Sequence, residues 1–379
     1  MRMLLCSLVI VAPSLALADD APADDAGPVP DDAPAAAGKL VLKAGGYLQP
    51  QFRARQDDAV APADEDGFRV RRAHLTAHAA SGYGHVVFST ELEAELTPAF
   101  QLLDAFVTAT ACFAHDGRWR LDLGQVRAPV SRQTLLSDSK LAFVDKPELA
   151  GLAPDRQIGA LATVDVPYAP GVQIAGGIFN GEGRNLGGNV DQRFLYASRV
   201  SFAVLGRDVP LAESNLAGDY LEVAGSAARQ SRDSGDGLET ETTLGADLAF
   251  GYAGLSGTVE YLQVRHALRD ASRPAYRANG IVAALSYLVP VDRLRKHLEI
   301  GARWDEIDRN DTVPIVRRGD PNQSLRTFTG AINWYQQDHS LKLQLAASHV
   351  IEVEDLDSGG NDATYANDTL LVQATLRIE

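Results

Sequence analysis

Residues 85–96 set the strongest constraint on what this chain can become. Val86, Phe88, Thr90, Leu92, Ala94 and Leu96 fall on one side of a two-residue period, and His85, Ser89, Glu91, Glu93 and Glu95 on the other, with Val87 the exception. That alternation describes a strand with one apolar and one charged face. Leu370, Val372, Ala374, Leu376 and Ile378 against Thr369, Gln373, Thr375 and Arg377 repeat the pattern, and so do Leu341, Leu343 and Leu345 against Lys342 and Gln344. Segments of about ten residues with such faces are the mark of strands that cross a membrane in a closed barrel.

Sixteen segments of this kind are legible: 41–55, 66–80, 84–96, 100–113, 118–127, 157–166, 171–180, 195–206, 219–229, 240–250, 254–266, 277–289, 297–308, 325–336, 340–352 and 368–378. An even number is what a bacterial barrel with both termini on its periplasmic side requires. The connections alternate as well. Most even ones are tight and rich in Gly, Pro and Asp, as at Ser81-Gly82-Tyr83, Ala114-His115-Asp116-Gly117, Pro167–Pro170, Gly251–Ala253 and Gln337-Asp338-His339. Most odd ones are longer and polar: 56–65, 128–156, 181–194, 230–239, 267–276, 309–324 and 353–367. Short turns on one side and long loops on the other belong to an outer-membrane barrel, and a soluble sandwich has no reason to sort them so. The expected fold is all-β, a closed antiparallel transmembrane β-barrel of about 16 strands.

The N-terminus agrees with export. Arg2, the apolar run Leu4–Val11 and Ala16-Leu17-Ala18 read as a signal peptide over 1–18. Residues 19–39 form an acidic Ala/Pro/Asp leader that cannot bury enough apolar surface to order itself, and 40–379 form one barrel domain. No later stretch is apolar enough for a membrane-spanning helix. Removal of 1–18 takes away one Arg and no acid, which moves the formal net charge from −15 to −16. Such a balance excludes nucleic acid as a partner. Only Cys112 would remain, so no disulfide framework exists. No cofactor is expected.

The longest connection is 128–156, and a loop of that length in a compact fold is usually functional. Leu135, Leu136, Leu141, Phe143, Val144 and Leu152 need a dry surface, and the inner barrel wall is the nearest. This third external loop is therefore expected to fold into the lumen. The block Gly124–Gly159 resembles the constriction-loop region of the phosphate-selective porin O and P family. Gly45-Gly46-Tyr47-Leu48-Gln49-Pro50-Gln51-Phe52-Arg53 and Phe68-Arg69-Val70-Arg71-Arg72-Ala73 resemble its first two strands, and Asp104-Ala105-Phe106-Val107 and Gly177-Ile178-Phe179-Asn180-Gly181 resemble further blocks. The resemblance implies a homotrimer in outer-membrane lipid, each barrel a water-filled channel for passive diffusion of small anions such as phosphate. A non-conducting outer-membrane barrel enzyme or adhesin is the alternative.

Anion passage needs fixed positive charge on a narrow, wet lumen. Inward parity points Arg53 and Arg55 of the first segment, Arg72 of the second, Arg199 of the eighth and Arg303 of the thirteenth into the lumen. Arg127, Arg132, Lys140, Lys146 and Arg156 come from the long loop and its base. These ten form the expected anion path, although Asp138, Asp145, Glu148 and Asp155 leave the loop formally neutral. His74 and His78 read as solvated wall, and the acidic run 353–367 lacks the spacing of a calcium site. Neither a Gly-x-Ser-x-Gly elbow nor a His-Glu-x-x-His motif is present. Trp119, Trp304 and Trp334 are the only tryptophans, a thin supply for interfacial girdles that trimer contacts would relieve. Crosslinking in detergent is expected to trap a trimer, and recovery of monomer alone would overturn that expectation.

Overall fold

The computed structural model describes residues 40–378 except 57–65, 84–85, 98, 114–116, 208, 215, 217, 234–237, 269–274, 290–297, 313–323 and 354–367. The signal and leader regions, and the acidic run from 354 onward, lie outside the described residues.

Sixteen strands follow one another: β1 (Val41–Arg55), β2 (Gly67–Tyr83), β3 (Val86–Glu95), β4 (Gln101–Phe113), β5 (Gly117–Arg127), β6 (Arg156–Asp165), β7 (Val172–Phe179) and β8 (Leu195–Leu205). The second half comprises β9 (Tyr220–Asp233), β10 (Leu238–Tyr252), β11 (Leu255–Leu268), β12 (Tyr276–Leu288), β13 (Leu298–Asp308), β14 (Leu325–Gln337), β15 (Leu341–Glu352) and β16 (Thr369–Ile378). Each pairs antiparallel with its sequence neighbours, and β1 pairs with β16 to close the barrel. All sixteen expected segments are present. The hairpin β9–β10 runs further than its Ser/Asp/Gly-rich sequence suggests. A Ser231–Thr240 hydroxyl contact of 3.0 Å and an Arg232–Glu241 ion pair carry the ladder into what reads as loop. Strand β2 likewise continues through Ser81-Gly82-Tyr83, so its turn falls later than the sequence implies.

The two faces are inverted relative to a soluble protein. Leu48, Leu343, Leu345 and Val372 are exposed, whereas Gln49, Gln51, Lys342, Gln344 and Gln373 on the alternate positions are buried. A closed sheet with exposed apolar side chains outside and polar ones inside is built to stand in lipid. Amides stitch the closing seam from within: Gln51 Nε2 donates to Gln373 Oε1 at 2.9 Å, and Gln49 Nε2 to Thr375 Oγ1 at 3.2 Å.

Two irregularities matter for the interior. Register pairs Gln49 with Arg72 but Pro50 with Val70, which leaves Arg71 as the extra residue of a β-bulge. Pro50 has no N–H to sustain the ladder, and a bulge opposite it is the natural accommodation. The connections are also unequal in reach. The β5–β6 segment holds one α-helical turn, α1 (Arg132–Leu135), and two 3-10 turns, Asp138–Lys140 and Glu148–Leu152. Leu345→Arg, on the outer face near mid-strand, is expected to cost about 2–4 kcal/mol, read as a lower urea midpoint for vesicle-inserted protein.

Candidate functional site

Local chemistry shapes the 128–156 segment. Ser131 caps α1 by accepting the Thr134 N–H at 3.4 Å. The Asp145 N–H donates to Phe143 O at 2.7 Å across Val144, whose φ of 67° is left-handed. A β-branched residue avoids that region, so this three-residue turn stores on the order of 1–3 kcal/mol that its surroundings must offset.

The segment reaches polar-face residues on widely separated strands. Gln49 of β1 donates to Asp138 O at 3.2 Å, and Lys342 and Gln344 of β15 donate to Leu141 O at 2.7 and 3.0 Å. Arg303 of β13 donates to Asp145 O at 2.7 Å, and Glu260 of β11 accepts the Gln133 N–H at 3.1 Å. Ser226 of β9 donates to Val130 O, and Arg309 pairs with Glu148 at 2.7 Å.

Its apolar side chains find two dry beds. Val130 and Leu149 pack with Val126, Phe179, Leu195, Leu262 and Val282. Ala142, Phe143 and Val144 pack with Ala331, Ala346 and Leu371. Glycines make the room: a Cβ at Gly301 would sit 3.0 Å from the Phe143 ring, and one at Gly280 would sit 3.0 Å from Leu152.

The charged residues fall into separate groups. The bulge turns Arg69, Arg71 and Arg72 to one side: Arg69 Nε donates to Gln51 at 2.8 Å, Arg71 reaches Asp145 at 3.2 Å, and Arg72 reaches Asp138 at 3.0 Å. Arg53 is half-buried beside Arg69, and Arg55, at the rim, is exposed. Lys146 donates to Leu136 O at 2.7 Å and lies 3.8 Å from Asp138. Burial works against the Asp138 carboxylate, yet Arg72, Lys146 and Arg127 hold it down at about 2. Burial also brings Lys146 down to about 8 despite Asp138. Arg127 donates to Leu135 O at 2.7 Å and stands 4.0 Å from Glu93.

At the base of the segment Arg156 holds Asp104 through two contacts of 2.9 Å and Glu93 at 3.3 Å. His74 Nδ1 lies 2.7 Å from the other oxygen of Glu93, and its Nε2 is 3.4 Å from Tyr47 Oη. His74 is thus a buried bridge, contrary to the solvated wall expected of it, because Glu93 is its cross-strand diagonal partner. On the far side Arg132 reaches Glu222 at 2.7 Å, and Arg199 forks onto Asp247 at 2.7 and 2.8 Å. Arg303 lies under the Phe143 ring at 5.2 Å and 3.4 Å from Asp305, and Lys140 is buried. The basic residues do not form a single positive path, because most have a carboxylate in contact.

Sequence reasoning missed Arg69 and Arg71, which strict alternation turns outward; Pro50 was the signal. It also missed Glu213 and Ser214 of the β8–β9 connection, discussed below. Among the described residues no cluster of three or more His, Cys, Asp or Glu is arranged to hold a metal.

An inside-polar, lipid-facing sixteen-stranded barrel is the architecture of an outer-membrane porin, and comparison with known proteins agrees. The family profile described as phosphate-selective porin O and P matches residues 43–377, and the chain belongs to that family. Compared by sequence with curated proteins, the chain has no match. The trimer form of in-vitro-folded OmpT, an outer membrane protein of Vibrio cholerae, is similar in fold at TM-score 0.61 and 9% identity, covering 90% of this chain and 100% of its own. The outer membrane channel DcaP of Acinetobacter baumannii gives 0.60 at 9% identity, covering 90% and 100%. Salmonella typhi OmpF in complex with daunomycin gives 0.58 at 10% identity, covering 89% and 97%. At such identities these structures speak to the fold alone.

Removing Arg156 would leave Asp104 and Glu93 buried without their cation. Arg156→Ala is expected to cost about 3–5 kcal/mol, measured by urea unfolding, and Asp104→Asn in the same chain should recover part of the loss.

Proposed function

We propose that this porin passes small anions, phosphate among them, through an eyelet between the 128–156 segment and the wall formed by β1–β5. The carrying observation is the position of Asp138 and Asp145 against Arg71 and Arg72, with Arg69 beside them, on a segment whose other side is packed on β9, β11, β12, β13 and β15. A segment in contact with polar-face residues of so many strands narrows the barrel from inside, and its apolar beds fill one half of the lumen. The remaining water path runs along the arginine wall.

Guanidinium groups suit oxyanions because their fork donates two parallel hydrogen bonds. Arg53, Arg55 and Arg69 supply positive charge on the external side of the eyelet, while Asp138 and Asp145 face them from the segment. Oriented charges of opposite sign across a narrow opening align a dipolar solute and favour small ions over large ones. The mixed lining supports weak anion preference and speaks against a strongly selective phosphate channel. The homotrimer belongs to the same proposal. The thin girdle supply and the trimeric form of one structural neighbour support it.

Planar-bilayer recording tests the reading. Stepwise current is expected, and insertion without current would overturn the channel in favour of a barrel enzyme or adhesin. Deleting 135–150 should raise single-channel conductance, whereas unchanged conductance would remove the segment from its role as the constriction. Replacing Arg53, Arg69 and Arg71 together with Gln should shift the reversal potential toward cations, and an unmoved potential would refute the arginine path.

A further inference from the structure

The β8–β9 connection is an even one, so it belongs to the opposite end of the barrel from 128–156. Tight turns suffice at that end, yet the described residues of this connection reach the barrel's inner face. Ala212, Glu213 and Ser214 are buried, and Ser214 Oγ lies 2.7 Å from Tyr335 Oη and 3.0 Å from Glu299 Oε2. Both partners are polar-face residues of β14 and β13.

Three links tie this turn to the long segment. Arg132 Nη2 donates to Pro210 O at 2.7 Å. The Glu213 N–H donates to Lys140 O at 3.3 Å. The Ala142 N–H donates to Glu213 Oε2 at 2.7 Å, and the Phe143 N–H faces the same carboxylate. These N–H groups immediately precede Val144, the strained centre of the tip turn. Clamps hold both flanks: Lys342 and Gln344 on Leu141 O, and Arg303 on Asp145 O. Glu213 alone among these grips the tip through its N–H groups.

We propose that Glu213 is a positioning residue for the eyelet: its carboxylate, delivered from the opposite mouth of the barrel, accepts the tip N–H groups and holds 138–146 at the aperture. The inference rests on the constriction reading above. A strained turn flanked by donors and one acceptor has a ready alternative when the acceptor is lost, because an unsatisfied buried N–H and a left-handed Val144 are both relieved when the tip leaves the aperture. Glu213 then sets the aperture without touching the solute path itself, and the chain's two mouths are mechanically joined.

The group is also well placed to make the aperture respond to pH. Burial pushes the Glu213 carboxyl up, opposed by Arg303, by the Ala142 and Phe143 N–H groups and by Lys342. Tyr335, Glu299 and His339, whose ring meets that of Tyr335 edge-on at 5.5 Å, are further titratable groups at this face, and Lys140 and Arg132 belong to the segment above it. The tip N–H groups work against that rise, so they grip the charged carboxylate more tightly than the protonated acid. Acidification through the shifted value therefore loosens the tip, and rising pH restores the hold.

Single-channel recording of two variants tests the assignment. Glu213→Leu keeps the volume and removes the acceptor; Glu213→Gln keeps an acceptor oxygen and removes the charge. The Leu variant should visit a higher conductance level on the order of tenfold more often, the effect of one lost buried hydrogen bond worth ~1.4 kcal/mol. The Gln variant, uncharged at every pH, should gate as the acidified parent does and lose the pH dependence of those visits. Heat-modifiable gel mobility verifies that each barrel is folded. Parental gating in both variants, or a Gln variant as open as the Leu one, would overturn the role of Glu213. If 135–150 deletion also leaves conductance unchanged, the eyelet itself is refuted; if deletion widens the channel, only the positioning role is lost.

Discussion

In lipid no water is available to a peptide N–H or C=O, and a sheet with free edges would leave both strands' outer rows unsatisfied at several kcal/mol each. The β1–β16 pairing removes those edges, with Gly46 opposite Ile378 and Arg55 opposite Thr369 at its two limits. Everything else is conditional on that seam. Only a closed sheet has an inside, and only an inside can shelter Gln49, Gln51 and Gln373, whose amides cross-link the seam while Leu48, Val372 and Leu376 face lipid. Once closed, a sixteen-stranded cylinder is too wide to be filled by its own wall side chains. The interior packing comes from the connections.

Those connections solve a problem of chemistry as well as of space. The inner wall is polar and charged, yet the long segment brings leucines, Phe143 and Val144. The conflict is resolved by sorting: small and apolar inner positions such as Ala331, Ala346, Gly280 and Gly301 receive the apolar side, while the amide of Gln49 and the cations Lys342 and Arg303 receive the backbone carbonyls of Asp138, Leu141 and Asp145. Carbonyl acceptors cost no rotamer entropy and carry no net charge, so lysine and arginine on the wall are satisfied without a carboxylate for each. Where carboxylates are used, as at Asp104 with Arg156 or Asp247 with Arg199, they form tight forks that lock wall geometry more than they colour the lumen.

Much of the fold was legible because it obeys a local rule. Period two fixes which face of 341–345 or 370–378 meets lipid, and turn chemistry fixes how many strands there are, although β2 and the β9–β10 hairpin run past the ends it suggests. What lay hidden depends on non-local partners. Arg69 and Arg71 face inward only because Pro50, on the neighbouring strand, forces a bulge. His74 is buried because Glu93 and Tyr47 arrive from two other strands. The connection 207–218 is longer than a tight turn requires, but nothing in Leu211-Ala212-Glu213-Ser214 announces Tyr335 or Ala142 as contacts. Parity turns Arg72, Arg199 and Arg303 inward, but it is silent about the carboxylates that come to sit beside them. Inward glycines at 280 and 301 were a usable clue, since a glycine in a strand often marks the close approach of another chain segment.

The contacts of the long segment span 89 residues from Gln49 to Asp138, 201 from Leu141 to Lys342 and 238 from Ser139 to Arg377. Bringing such distant positions together costs loop-closure entropy that no single hydrogen bond offsets. Their partners lie on the first and the last two strands, the very ones that meet when the seam forms. The interior must therefore be assembled late in biogenesis, after or together with closure of the wall. A newly closed cylinder carries polar side chains on its inner wall that still lack the carbonyl partners the segment later brings.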